Sequence, residues 1–314
     1  MIGWGSWANT QKLAGKDNWP FELYYWDYAI GVFVCSLVML FTLGQSGSAG
    51  MPALDNLRQA GGTAIFQAAS SGVLFNVSNI LLVVAIDAAG MSVAFPVGVG
   101  LALVIGTIGS FLQTPKGSPS LLFGGVALVV FAMLMSAAAY RRLPTAGRAR
   151  GWKGIAFAVV AGCLMGFFYP QLSASISPAF NTEAIRAGYL TPYSALLFFA
   201  CGLLSSNVIV NTVFMRAGGK TYESYFSGSA RLHSLGLLGG AIWMAALTLN
   251  IIASGVAGPA VSYALGQGAT LVAAIWGVFI WREFTSAPVG TMRLIVLMFA
   301  GYAAGLCLIG AATL

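Results

Sequence analysis

The stretch AGMSVAFPVGVGLALVIGTIG, Ala89–Gly109, decides the fold class. It holds no charged residue, and at ~1.5 Å per helical residue it is about long enough to cross a ~30 Å hydrocarbon core. Its apolar residues run continuously, without the two-residue alternation of a membrane β-barrel strand. A second stretch, AGPAVSYALGQGATLVAAIWG at Ala257–Gly277, aligns with it at a constant offset of 168 residues. Gly90, Val93, Gly98, Gly100, Leu103, Val104 and Gly109 fall on Gly258, Val261, Gly266, Gly268, Leu271, Val272 and Gly277, and Phe95 meets Tyr263. Seven identities at one offset read as an internal repeat rather than as two glycine-rich helices alike by composition.

Outward from this pair, charged residues, prolines and glycine clusters cut the 314-residue chain into ten apolar segments. They run roughly over 2–14, 22–44, 63–86, 90–112, 120–140, 153–174, 192–214, 232–253, 256–281 and 290–313. The chain is 58% hydrophobic and 7% charged, with mean hydropathy +0.85. A soluble domain carries roughly 25% charged residues, so a water-soluble enzyme is excluded, and the abundance of apolar residues excludes disorder. The expectation is an all-α polytopic membrane protein with ten transmembrane helices. The first segment is short: Met1 to Gln11 spans about 16 Å as a helix, half a bilayer. It lacks the basic start and small-residue cleavage site of a signal peptide, and is expected to be a helix truncated at its start or a half-helix.

Lysine and arginine set the orientation. Twelve of the 15 follow odd-numbered segments and three, Arg58, Lys116 and Arg186, follow even-numbered ones. The positive-inside rule then places both termini outside an inner (plasma) membrane and the Arg141–Lys153 loop in the cytoplasm. The same bias accounts for the net charge of +7 without nucleic acid. That loop divides the chain into a first five-helix repeat over 1–143, a linker over 144–152 and a second five-helix repeat over 153–314. Five helices per half insert the second half upside down, the inverted-repeat plan of secondary transporters, with the substrate site at the repeat interface.

Ionisable groups inside a span are costly and are functional candidates by default. Asp27 lies early in segment 2 among Tyr24, Tyr25, Trp26 and Tyr28, neighbours that disfavour its charged form and suit a proton-coupling carboxylate. The plainer reading is an interfacial aspartate paired with Lys12 or Lys16. Glu22, nearer the loop, is the second proton-coupling candidate. Asp87 and Glu283 fall at cytoplasmic segment ends, where salt bridging is expected. Asn76 and Asn79 share one helical face, and with Gln267 they put amides at depth, where they can donate to and accept from a neutral solute. Interhelical bonding is the alternative, and Asn207 and Asn211 read as such packing. Trp4, about 12 Å from the edge at Lys12, with Trp7 one turn on, and Tyr169 in segment 6 are candidates to stack on a solute. Pro96 with Gly98 and Gly100, and Pro170, are expected to break or kink their helices beside the site. The pairs Gly162/Gly166, Gly236/Gly240 and Gly301/Gly305 permit close helix approach and leave a homodimer open.

Other chemistries are excluded by the same reading. One histidine, His233, makes no histidine-rich metal site, the four cysteines lie in apolar stretches, and no cofactor motif is present. Gly218–Thr221 resembles the end of a phosphate-binding loop, but Phe214 stands where its first glycine belongs. No GxSxG or HExxH occurs.

WGSWANTQKL at Trp4–Leu13, YYWDY at Tyr24–Tyr28 and AIDAAGMSVAFP at Ala85–Pro96 resemble the drug/metabolite transporter superfamily. Within it the likeness is to the branch of ureide permeases, the rhamnose–proton symporter and glucose-uptake proteins. Gly5-Ser6-Trp7 and Asp27 are similar to a Gly-Ser-Trp and an early aspartate of ureide permeases. The resemblance implies ten helices, no cofactor, and uptake of a small neutral polar solute, a monosaccharide or a ureide or nucleobase, by proton symport. The longer, nucleotide-type central loop of plant ureide permeases has no counterpart in this chain. No lysine or arginine lies deep in a span, which disfavours anionic substrates. Sodium coupling through backbone carbonyls remains open. The alternatives are an exporter of amphipathic metabolites or drugs and a non-transporting membrane scaffold, the latter opposed by polar groups at depth.

Overall fold

A computed structural model describes residues 1–143 and 152–313. In chain order the helices are α1 (Ile2–Ser6), α2 (Ala8–Lys16), α3 (Phe21–Phe41), α4 (Ala53–Gln59), α5 (Gly62–Ala89), α6 (Met91–Gln113) and α7 (Pro119–Tyr140). They continue with α8 (Trp152–Ser175), α9 (Pro192–Ala217), α10 (Tyr222–Phe226), α11 (Ala230–Ala257), α12 (Pro259–Gly266), α13 (Ala269–Ile275) and α14 (Thr291–Ala311). Among the described residues extended pairing is limited to two isolated bridges, Ala60–Gly188 and Ile176–Leu190. Nine helical stretches there are long and apolar enough to cross a membrane, and all nine follow the last nine expected segments closely. Large apolar side chains such as Phe66, Val213, Leu249 and Val256 are exposed along them, as helices solvated by lipid require.

The tenth expected helix is absent from that set. Residues 2–16 form two short helices meeting at Trp7, together too short for the hydrocarbon core. The two helices with an internal proline are not broken at it. Helix α6 runs unbroken through Pro96, Gly98 and Gly100, and α8 through Pro170. One missing N–H removes a single ladder bond, and close packing of Gly98 and Leu101 against Gly162 holds α6 to α8 across that point. The interruption falls instead at Gln267 and Gly268, between α12 and α13, followed by a π-helical turn over Trp276–Ile280.

The chain forms two compact units that do not follow its halves. One comprises Ile2–Ile80 and Gln171–Val256; the other comprises Leu81–Pro170 and Ala257–Leu314, together with Met1. The unit boundaries at 80/81 and 170/171 therefore fall inside α5 and α8. In the second unit α7 and α14 pack with Gly125 against Gly305 and Gly301 against Ala132, around a core of Leu103, Leu122, Val129, Met133, Ile295 and Met298. In the first unit α11 lies on α3, where a Cβ at Gly236 would overlap that of Asp27 and one at Gly240 would overlap the Tyr28 carbonyl. All three GxxxG pairs are thus consumed in packing within the chain. The expected linker lies, except for its last residue, outside the described residues.

The two repeat segments begin alike. Gly90, alone between α5 and α6, has φ 84° and ψ 150°; Gly258, alone between α11 and α12, has φ 86° and ψ 151°. Only glycine occupies this region without strain. Alanine at either position is expected to cost about 1–3 kcal/mol. Unfolding of Gly90→Ala and Gly258→Ala in detergent should show losses of similar size, and wild-type stability in either would contradict the assignment.

Candidate functional site

Helix α3 starts after the extended Pro20 and carries Asp27 less than two turns inside. The close approach of α11 through Gly236 sets His233, one turn earlier, beside it. His233 Nδ1 and Asp27 Oδ2 are 2.9 Å apart. The short helix α10, capped by the Thr221 hydroxyl, which accepts from the Ser224 N–H at 3.2 Å, presents Tyr225. Its hydroxyl donates to Asp27 Oδ1 at 2.7 Å. Both carboxylate oxygens are therefore held, one by a phenol and one by an imidazole. The Asp27 side chain is 4% exposed and that of His233 25%. Burial, then the hydrogen bond to Asp27 and its negative charge, push the Tyr225 phenol up from its usual range. Tyr225 is accordingly a neutral donor and not a titrating partner. Trp19 meets the His233 ring edge-on at 5.6 Å and Tyr225 does so at 4.9 Å. Arg231 bonds Asp17 at 2.8 Å, a second link between the start of α11 and the α2–α3 connection.

Deeper in the same unit, aromatic rings and amides meet. Trp4 stacks on Trp243 at 6.0 Å and donates its Nε1–H to the Trp243 carbonyl at 3.2 Å. Trp7 packs on Tyr28 at 5.0 Å, and Trp243 on Phe75 at 4.3 Å. Asn79 donates to the Tyr25 hydroxyl at 3.1 Å, joining α5 to α3. Asn76 donates to Ser206 Oγ at 3.0 Å, joining α5 to α9, and Asn211 donates to the Glu22 carbonyl at 3.0 Å, joining α9 to α3. Asn207, one turn from Asn211 on the same face, is fully buried. Among the described residues four amide atoms of this three-helix seam are buried without a hydrogen-bond partner: Asn76 Oδ1, Asn211 Oδ1, and both Nδ2 and Oδ1 of Asn207. The orientation of Asn76 follows from chemistry, because Ser206 Oγ already donates to the Gly202 carbonyl at 2.8 Å and can take only a donor.

Of the remaining expected residues, Glu22 lies in the first unit and the others in the second. Glu22 is half-buried, its carboxylate beside Gly218 at the end of α9. Tyr169 and Gln267 belong to the second unit. There Tyr169 is buried against Tyr263 at 4.6 Å, and Gln267 closes α12 through its backbone N–H. Pro96, Gly98, Gly100 and Pro170 are in that unit too. Glu283 accepts from the Tyr140 hydroxyl at 2.6 Å. Sequence reasoning used His233 only to exclude a metal site and missed its pairing with Asp27. A lone histidine at the mouth of an apolar run, three residues before a GxxxG pair, was the available signal. Tyr225 carried none, because the loop before segment 8 gave no hint of α10.

The family comparison covers Asp27, Asn76 and Asn79 and stops short of Tyr225 and His233. Residues 24–150 match the ureide permease family. Ureide permease 2 of Arabidopsis thaliana is 25% identical over 145 residues, 45% of this chain and 36% of that protein. The chain thus aligns with about a third of that relative's length. The apolar helices and the family match support a membrane permease with many transmembrane helices. Within that class the likeness is to the ureide permease branch, as the motifs at Tyr24–Tyr28 and Ala85–Pro96 imply.

The amide seam makes a stability prediction. A buried polar group without a partner costs about 1–3 kcal/mol, so Asn207→Leu, similar in size, should raise the stability of the purified protein. Thermal unfolding lower than wild type would mean that the Asn207 amide is satisfied in the membrane-extracted protein.

Proposed function

We propose that the chain is a secondary active transporter that takes up a small neutral polar solute of the ureide type by proton symport. The observation that carries this reading is the Asp27 carboxylate: buried within a span, with both oxygens held by groups that need not be charged. A permanently ionised carboxylate at such a position is expensive without a fixed cation. One that alternates between carboxylic acid and carboxylate is what proton coupling uses. The ureide likeness comes from the family match and the Arabidopsis relative; a monosaccharide is the other solute of this chemistry. Aromatic faces and amides suit either.

In this reading the architecture is two inverted five-helix repeats, 1–143 and 153–314, with α1 and α2 standing as a half-helix in the first position. The matching backbone of Gly90 and Gly258 at an offset of 168 residues supports the repeat. The lysine and arginine bias supports termini outside and the 141–153 loop in the cytoplasm. Trp4, Asn76, Tyr169 and Gln267 are proposed to face the solute during the cycle, with Trp7 and Asn79 supporting them. Glu22, near Asp27 on α3, is the reserve carboxylate.

Asp27→Asn tests the coupling. The amide imitates the protonated acid, so proteoliposomes should lose accumulation of a labelled cyclic ureide such as hydantoin, or of a monosaccharide, under an imposed pH gradient. Exchange of the same solute across the membrane should persist. Full gradient-driven accumulation in the variant would reduce Asp27 to an interfacial anchor.

A further inference from the structure

We propose that Asp27 gains and loses its proton through His233, which relays it between the buried carboxylate and the aqueous edge of the bundle. The inference rests on the reading of Asp27 as the coupling carboxylate and adds the path that such a group requires. Asp27 is 4% exposed, and each of its oxygens is already engaged. Tyr225 closes Oδ1, as a neutral donor that keeps its own proton. Among the described residues the other oxygen, Oδ2, is hydrogen-bonded only to the imidazole. His233 is six times as exposed as Asp27, and its two nitrogens point to different surroundings. Nδ1 lies 2.9 Å from Asp27. Nε2 points toward the turn at Gly228, where an added Cβ would come within 2.8 Å of it and 2.5 Å of the Trp19 ring. Gly228 therefore places no side chain over the outer nitrogen on the side away from the carboxylate. An imidazole can hold a proton on either nitrogen, so a ring placed in this way joins two environments that no direct contact joins.

The step balances without a further reagent. During unloading the Asp27 Oδ2–H bond breaks and an Nδ1–H bond forms, leaving a carboxylate and an imidazolium that are each other's counter-ion. The imidazolium then loses its Nε2 proton to water, and the Nδ1–H that remains donates to the carboxylate. Loading runs in reverse, with water protonating Nε2 while the Nδ1 proton passes to Oδ2. Elements packed around the pair carry Lys12, Lys16 and Asp17 by α2, Glu22 and Tyr24 on α3, Tyr222 and Glu223 on α10, and Arg231 on α11. Asp17 and Arg231 neutralise each other. Tyr24 bonds the Thr10 hydroxyl at 2.7 Å, and Tyr222 bonds Thr212. The hydrogen bonds of the Asp27 oxygens themselves run to His233 and Tyr225.

The experiment needs no substrate. Infrared difference spectra of the purified full chain, taken after a pH jump, follow the carboxylic C=O band of Asp27, which is identified by its loss in Asp27→Asn. The relay predicts that His233→Gln keeps the band but slows its appearance at least tenfold. It also predicts that free imidazoles restore the rate in His233→Ala in order of their own basicity. Should His233→Gln not fold, His233→Asn takes its place, with thermal unfolding as the check. A band that titrates at the wild-type rate in the glutamine or asparagine variant overturns the relay and leaves Asp27 as the coupling group. Rescue that follows the size of the imidazole rather than its basicity also overturns it, because the ring is then only a spacer. The absence of any titrating band lost in Asp27→Asn overturns the reading of Asp27, and the relay with it.

Discussion

The contact between α3 and α11 is the constraint on which the site depends. Gly236 and Gly240 let the backbone of α11 press on Asp27 and Tyr28 with no side chain between them. In a hydrocarbon surrounding, a carboxylate must find its partners inside the protein. At ordinary interhelical spacing the imidazole of His233 would stand too far from Asp27 for a hydrogen bond. A side chain at Gly236 would therefore do more than loosen packing: it would strand a buried acid, and breaking such a pair is costly because one charge is left uncompensated. The short helix α10 and the Arg231–Asp17 pair then fix the approach of the remaining donor, Tyr225, from the edge of the bundle.

Two kinds of polar burial coexist in this unit and call for different explanations. Around Asp27 both carboxylate oxygens are satisfied. In the α3–α5–α9 seam the reverse holds. Asn76, Asn207 and Asn211 tie or face three helices while leaving amide atoms without partners. Native proteins bury few such atoms, and each one calls for a physical reason. The aromatic cluster of Trp4, Trp7, Tyr28, Phe75 and Trp243 lies in the same unit. It offers flat apolar faces to a planar or ring-shaped solute.

Much of the fold was legible because lipid simplifies the code. A continuous apolar run of sufficient length can do little but form a helix, so the bounds of α3, α7 and α14 follow from composition. Asp27 was legible for the same reason, as a carboxylate inside such a run. Less visible was anything that depends on which helix packs on which. His233 and Tyr225 are about two hundred residues from Asp27 in sequence, and Ser206 is 130 from Asn76; no periodicity announces those partners. Neither Pro96 nor Pro170 breaks its helix, because a single lost hydrogen bond is absorbed where glycine packing clamps the helix. Gln267 and Gly268 interrupt their helix without a proline at the break.

The central claim is that a proton moves with the solute by way of Asp27. Lightly buffered proteoliposomes containing the wild-type chain and a pH indicator in the external medium test it directly. Addition of a cyclic ureide such as hydantoin, with no gradient imposed, should make the external medium more alkaline as solute enters, and the signal should vanish in Asp27→Asn. Entry of labelled solute with no change in external pH would contradict the account.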